Sequence, residues 1–148
     1  MSTTESLQQH FTHLGLPKEA QAWLLMLWNV IQFFDDVADA DRVERSELDA
    51  ALWNALVSMP DSQFFQQHRL VLIPLVANAI LKWQASDQAE RSREADARSF
   101  VWRAGYYDVV LSVVSLVHGP AAAIAGAREI LSIYGESFDD YIKEFAHA

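Results

Sequence analysis

The run Ala22–Phe34 is apolar except for Asn29 and Gln32, contains no glycine or proline, and leads directly into Asp35-Asp36-Val37-Ala38-Asp39. An apolar stretch this long, without strict alternation, predicts a helix rather than a strand. Its acidic end predicts either a helix reaching water or a place where carboxylates gather around a divalent cation. No segment alternates over a useful length. The chain therefore reads as all-α, a single domain over residues 1–148 built as a bundle of about six helices.

Glycine and proline punctuate that reading. Gly15-Leu-Pro17 closes a first helix at about 4–13 and opens a second at about 17–38. Asp41-Arg-Val-Glu44 and Ser46-Glu-Leu-Asp49 both have N-terminal capping spacing, so a third helix should run from about 42–47 to Ser58. Met59-Pro-Asp-Ser62 then caps a fourth, about 62–86, in which Pro74 should produce a kink or a split. The charged stretch Ser86–Arg98 reads as a solvated turn and the exposed start of a fifth helix ending at Val117. His118-Gly119-Pro120 is a sharp stop, and a last helix, about 120–134, resumes after Gly135 to Phe145.

Composition removes several functions. The formal charge is −9, with 20 acids against 11 Lys and Arg, so a phosphate backbone is repelled and no nucleic acid is expected. With no cysteine, disulfides and thiolate chemistry are excluded. Residues 1–10 lack the basic start and apolar core of a signal peptide. The apolar runs 22–34, 70–81 and 109–118 are broken or shorter than the ~18–20 residues that span a bilayer. The expectation is a soluble cytoplasmic protein with no membrane partner. Five Trp and eight Phe exceed the needs of one small core, which predicts a homo-oligomer.

Helical geometry groups the polar residues. Asn29, Gln32, Asp35, Asp36 and Asp39 fall within an arc of about 120° on helix two. Asp108, Ser112 and Ser115 share one side of the otherwise apolar Tyr106–Val117. A carboxylate there needs a partner: Arg69, Arg103, a tyrosine hydroxyl or a metal ion. Lys82 lies one turn after Asn78, where both could reach a pocket. Glu136, Asp139, Asp140 and Glu144 read as surface. Glu144-Phe-Ala-His147 has Glu-x-x-His spacing, but it occurs once.

Asp35-Asp36-Val37-Ala38-Asp39 resembles the Asp-Asp-x-x-Asp motif of the class I isoprenoid (terpenoid) synthases, and Asp108 and Ser112 match the start of that family's second metal motif. Leu116 stands where the second motif has its carboxylate. The resemblance implies an isoprenoid-synthase-like fold in which Asp35, Asp36, Asp39 and Asp108 hold Mg²⁺. Asn29, Gln32, Ser112 and Lys82 would complete the shell or meet a diphosphate. The missing acid implies a vestigial pocket without prenyl transfer. The alternative is a Mg²⁺-dependent enzyme acting on a diphosphate, either a prenyl diphosphate or a nucleotide. For the nucleotide case, Glu44-x-x-Glu47 and Glu136-x-x-Asp139 are similar in spacing to motifs of the all-helical nucleotide pyrophosphatases. From another class comes a non-catalytic helical interaction protein.

Overall fold

The computed structural model describes residues 3–146, and all regular structure among them is helical. The helices are α1 (Thr3–His13), α2 (Lys18–Ala38), α3 (Arg45–Trp53), a π-helical turn (Asn54–Ser58), α4 (Met59–Asp61), α5 (Gln63–Arg91), α6 (Ala97–Trp102), α7 (Gly105–His118), α8 (Pro120–Leu131) and α9 (Phe138–Ala146). Packing divides the chain into two compact units, Met1–Arg69 and Leu70–Ala148, with the division inside α5.

In the first unit α2 is the hub, packing against α1, α3, the π-helical turn and α4. Trp23 and Leu24 of its apolar run are fully buried with Leu7, Phe11 and Leu16. Trp23 stacks on Phe65 at 6.0 Å and meets Phe64 at 6.2 Å, a geometry that adds to the hydrophobic burial. Its indole Nε1 is buried without a hydrogen-bond partner among the described residues, and nothing in the structure explains it.

Three helix ends, those of α1, α2 and α5, share one device. At Gly15, Ala40 and Arg93 the chain enters the left-handed region, with φ of 67°, 59° and 58°. In each case the next amide closes on the carbonyl five residues back: Leu16 on Phe11 (3.2 Å), Asp41 on Asp36 (2.9 Å) and Glu94 on Ala89 (2.8 Å). This is the Schellman closure, which satisfies carbonyls left over at a helix end. Glycine does it without strain; Ala40 and Arg93 do it with a Cβ.

In the second unit α7 packs on α8 and α6 on α9. Val109, Val110, Val113 and Val114 of α7 are buried, as are Ile130 and Tyr141. Gly105 opens α7 against α5, where an added Cβ would stand 3.1 Å from the Ala79 Cα. The absence of a side chain is what permits that approach.

Several boundaries depart from the sequence expectation. Pro74 does not split its helix: α5 runs unbroken to Arg91. Pro74 and Leu70, whose carbonyl loses its partner, are both exposed, so water can take the freed group. Ser86, expected in a solvated turn, is buried on α5, and the turn falls at 92–96. The expected fifth helix is two, because the chain breaks at Arg103-Ala104 and restarts at Gly105. The start of α3 uses neither expected capping pair. Glu44 N instead donates to Glu47 Oε2 at 3.3 Å. Of the Glu144/His147 pair, His147 lies outside the described residues.

Candidate functional site

Asp35 and Asp36, with Asn29 and Gln32, lie on α2 in the first unit, and Asp39 is the residue that caps its C-terminal end. The closure at Ala40 folds Asp41 back toward Asp36, and the start of α3 brings Glu47 near. Burial is the main cause that raises the Asp36 carboxyl above its ordinary value, followed by the charges of Asp41, Asp35 and Glu47. These acids are therefore crowded in space as well as in sequence. Among the described residues, however, no three His, Asp or Glu side chains converge into a metal-ligand set. Asn29 accepts from Asn54 Nδ2 at 3.2 Å, tying α2 to the π-helical turn. Gln32 is half-buried one turn before Asp36.

Asp108, Ser112 and Lys82 lie in the second unit. Lys82 Nζ donates to Asp108 Oδ2 at 2.6 Å. The sequence assigned Lys82 to phosphate and offered Arg69, Arg103 or a tyrosine to Asp108; the partner is Lys82 itself. The Gly105–Ala79 approach explains the pairing, since each ion sits three residues beyond one of those contacts on its own helix. Ser112 is half-buried one turn after Asp108.

A denser polar cluster was not legible in sequence. Glu90 Oε2 accepts from Tyr141 OH (2.9 Å) and Ser86 Oγ (3.1 Å), and lies 3.7 Å from Arg103. Tyr141 OH also meets Ser99 Oγ at 2.7 Å. Arg103 reaches Glu136 at 3.5 Å and lies over the Tyr141 ring at 5.0 Å. Tyr134 OH donates to Glu136 at 2.5 Å, so Glu136 is not the free surface acid expected. Burial raises the Glu90 carboxyl despite the hydrogen bonds and Arg103. Contacts with Tyr134, Phe138 and Tyr141 around Phe100 close the cluster. Its groups bond to one another and join α5, α6 and α9.

Exposed apolar faces are the other unusual feature. On α5, Leu70 (84% exposed), Ile73, Ala77, Ile80 and Leu81 (64%) recur at helical spacing on one side. No charged residue lies between Leu70 and Leu81. In the first unit, Leu52, Trp53 (63%), Leu56 (72%) and Val57 are exposed along α3 and the π-helical turn. Side chains of this size rarely face water in contiguous sets without a partner. α5 is also, among the described residues, the one helix long and apolar enough to cross a bilayer by length and composition. Its charge-free run 70–81 would span only about 18 Å of the ~30 Å needed.

The chain matches no protein-family model, no curated protein and no solved structure.

Proposed function

We propose that this is a soluble, cytoplasmic, non-catalytic helical interaction protein that self-associates through the exposed face of α5. The observation that carries the reading is the uncharged stripe Leu70, Ile73, Ala77, Ile80 and Leu81 on a chain of net charge −9. Like-charged copies repel over most of their surfaces, and an uncharged apolar stripe is where they can approach and remove area from water. Lys82, the nearest downstream cation, is turned to Asp108, which keeps its charge engaged within the unit. Pairing of α5 with α5 about a two-fold axis would bury the same residues on both copies.

Sedimentation of the wild type should give a species of twice 16.7 kDa, and Leu70→Glu with Leu81→Glu should return it to monomer. A wild type that stays monomeric at every soluble concentration overturns the reading.

The alternative is a vestigial or active Mg²⁺/diphosphate site in an isoprenoid-synthase-like fold. It draws support from the electrostatic crowding of Asp36 by Asp35, Asp41 and Glu47, because Mg²⁺ would relieve that repulsion. Titration calorimetry with Mg²⁺ and inorganic diphosphate tests it. Heat of binding that disappears in Asp36→Asn would favour this alternative.

A further inference from the structure

The second apolar face lies wholly within the first unit and differs from the α5 stripe in its electrostatics. Leu52 and Leu56 are one turn apart on one side of α3 and the π-helical turn, with Trp53 beside them and Asp49 one turn upstream on the same side. Trp53 and Leu56 are among the most exposed large apolar side chains of the chain. The segment Asp35–Asp49, which leads into this face, carries seven acids and two arginines. Arg42 is drawn to Glu44 at 3.4 Å. Glu47 acts both on Asp36 of α2 and on the first turn of α3, so the acid cluster stands at the N-terminal end of the apolar stripe. The Asn54–Asn29 hydrogen bond holds the π-helical turn to α2, fixing the stripe relative to that cluster.

We infer that this face docks a cationic amphipathic helix, with its apolar side on Leu52, Trp53 and Leu56 and its lysines or arginines toward Asp35, Asp36, Asp41, Glu47 and Asp49. Charge complementarity selects that occupant. Across a two-fold axis parallel to the stripe a second copy would bring two acid clusters together. Across a perpendicular axis it would set each cluster against the C-terminal end of the stripe, where the exposed Asp61 adds an acid and residues 50–62 supply no cation. An anionic lipid surface would be repelled as well. A helix laid into an apolar stripe needs anchors at about one-turn spacing, which Leu52 and Leu56 supply, while an exposed tryptophan is the residue type most often found at binding hot spots. The inference extends the interaction reading to a second face and does not require α5 pairing.

The test uses a fluorescently labelled synthetic helix with leucines at i, i+3, i+4 and i+7 and lysines on both flanks, alongside the same helix with glutamates in place of the lysines. Fluorescence anisotropy against the full chain should show binding of the lysine helix that weakens with added salt. The glutamate helix should bind at least about tenfold more weakly. Leu56→Asp and Trp53→Ala, each checked for an unchanged helical circular dichroism spectrum, should each lower affinity by about tenfold or more. The Leu70→Glu, Leu81→Glu variant should bind the lysine helix as the wild type does, whether or not α5 self-association is observed. Equal affinity for the two helices overturns the inference, as does binding untouched by both Leu56→Asp and Trp53→Ala. Partition of the chain onto phosphatidylcholine vesicles, abolished by Leu56→Asp, would overturn it in favour of a lipid surface.

Discussion

Lys82 Nζ stands 2.6 Å from Asp108 Oδ2, joining α5 to α7 one turn beyond the point where Gly105 meets Ala79. Two residues that the isoprenoid-synthase resemblance gives to a phosphate and a metal are thus engaged with each other. The side chains are 28% and 43% exposed, which places the pair nearer the surface than the buried regime. Truncating either partner should therefore cost about 0.5–1 kcal/mol, not the ~3–5 kcal/mol of a buried pair. Urea denaturation of Lys82→Met, Asp108→Asn and the double variant gives the coupling directly. A coupling near zero would mean that the helix contact, and not the ion pair, holds these elements.

Gly105→Ala should destabilise the second unit by about 1–3 kcal/mol through overpacking. The new Cβ would meet backbone atoms of Ala79, at 3.1 Å from its Cα and 3.4 Å from its carbonyl oxygen, and backbone cannot rotate away. The gain in helix propensity, up to about 1 kcal/mol, acts in the opposite direction. A rise in melting temperature would show that α5 and α7 can separate at little cost.

Glu90 gives a pH-dependent prediction. Its folded-state value is raised, mainly by burial, so the protonated form is the one the fold favours. The associated stability is fully present below the ordinary carboxylate value and is lost as pH rises through the folded value. Proton bookkeeping agrees: Ser86, Ser99 and Tyr141 share three hydroxyl protons among five contacts, made with Glu90, with the Ser99 and Asp96 carbonyls and between Tyr141 and Ser99, and a neutral Glu90 supplies another donor. Glu90→Gln, which keeps an acceptor and adds a donor, should match the wild type in acid and melt higher at neutral pH. If the variant is instead less stable by a margin that widens with pH, pairing with Arg103 outweighs desolvation.

Asp36→Asn should follow the same sign for a different mix of causes. Burial and the charges of Asp41, Asp35 and Glu47 all raise the carboxyl, so the ionised wild type carries a penalty at neutral pH. The variant should melt higher at pH 7, with the gap closing as pH falls through the folded value and shrinking in high salt. Thermal melts across pH at two ionic strengths measure this. A destabilised Asn variant at neutral pH would mean that Asp36 has a cationic partner.

The helical class, the stops at Gly15 and Gly119-Pro120, and the extent of α2 were legible because each rests on local chemistry: apolar runs without breakers, glycine at positive φ, proline at a first turn. The ends of α2 and α5 use the same closure with Ala40 and Arg93, where no glycine marks it. The split expected at Pro74 is absent for the complementary reason, since the residue alone does not reveal that it and Leu70 stand exposed on α5, where water can take the freed carbonyl. Asp36 and its neighbours were visible as a sequence cluster. The contribution of Glu47, which arrives from another helix, was not.

By itself the sequence determined what periodicity and local backbone preference control: an all-α chain, an acidic α2 terminus, and apolar residues in excess of one core. Tertiary structure decided which polar groups meet. Lys82 finds Asp108 because Gly105 lets two helices approach. Glu90 finds Arg103 and Tyr141 because the break at Arg103-Ala104 and the return of α9 bring them together. Tertiary structure also decided which apolar residues stay outside, since Leu70, Leu81, Trp53 and Leu56 are indistinguishable in composition from their buried neighbours. Hydrophobic burial is non-directional, so a residue's type sets its tendency to leave water, and only the packing of the remaining helices determines whether it does.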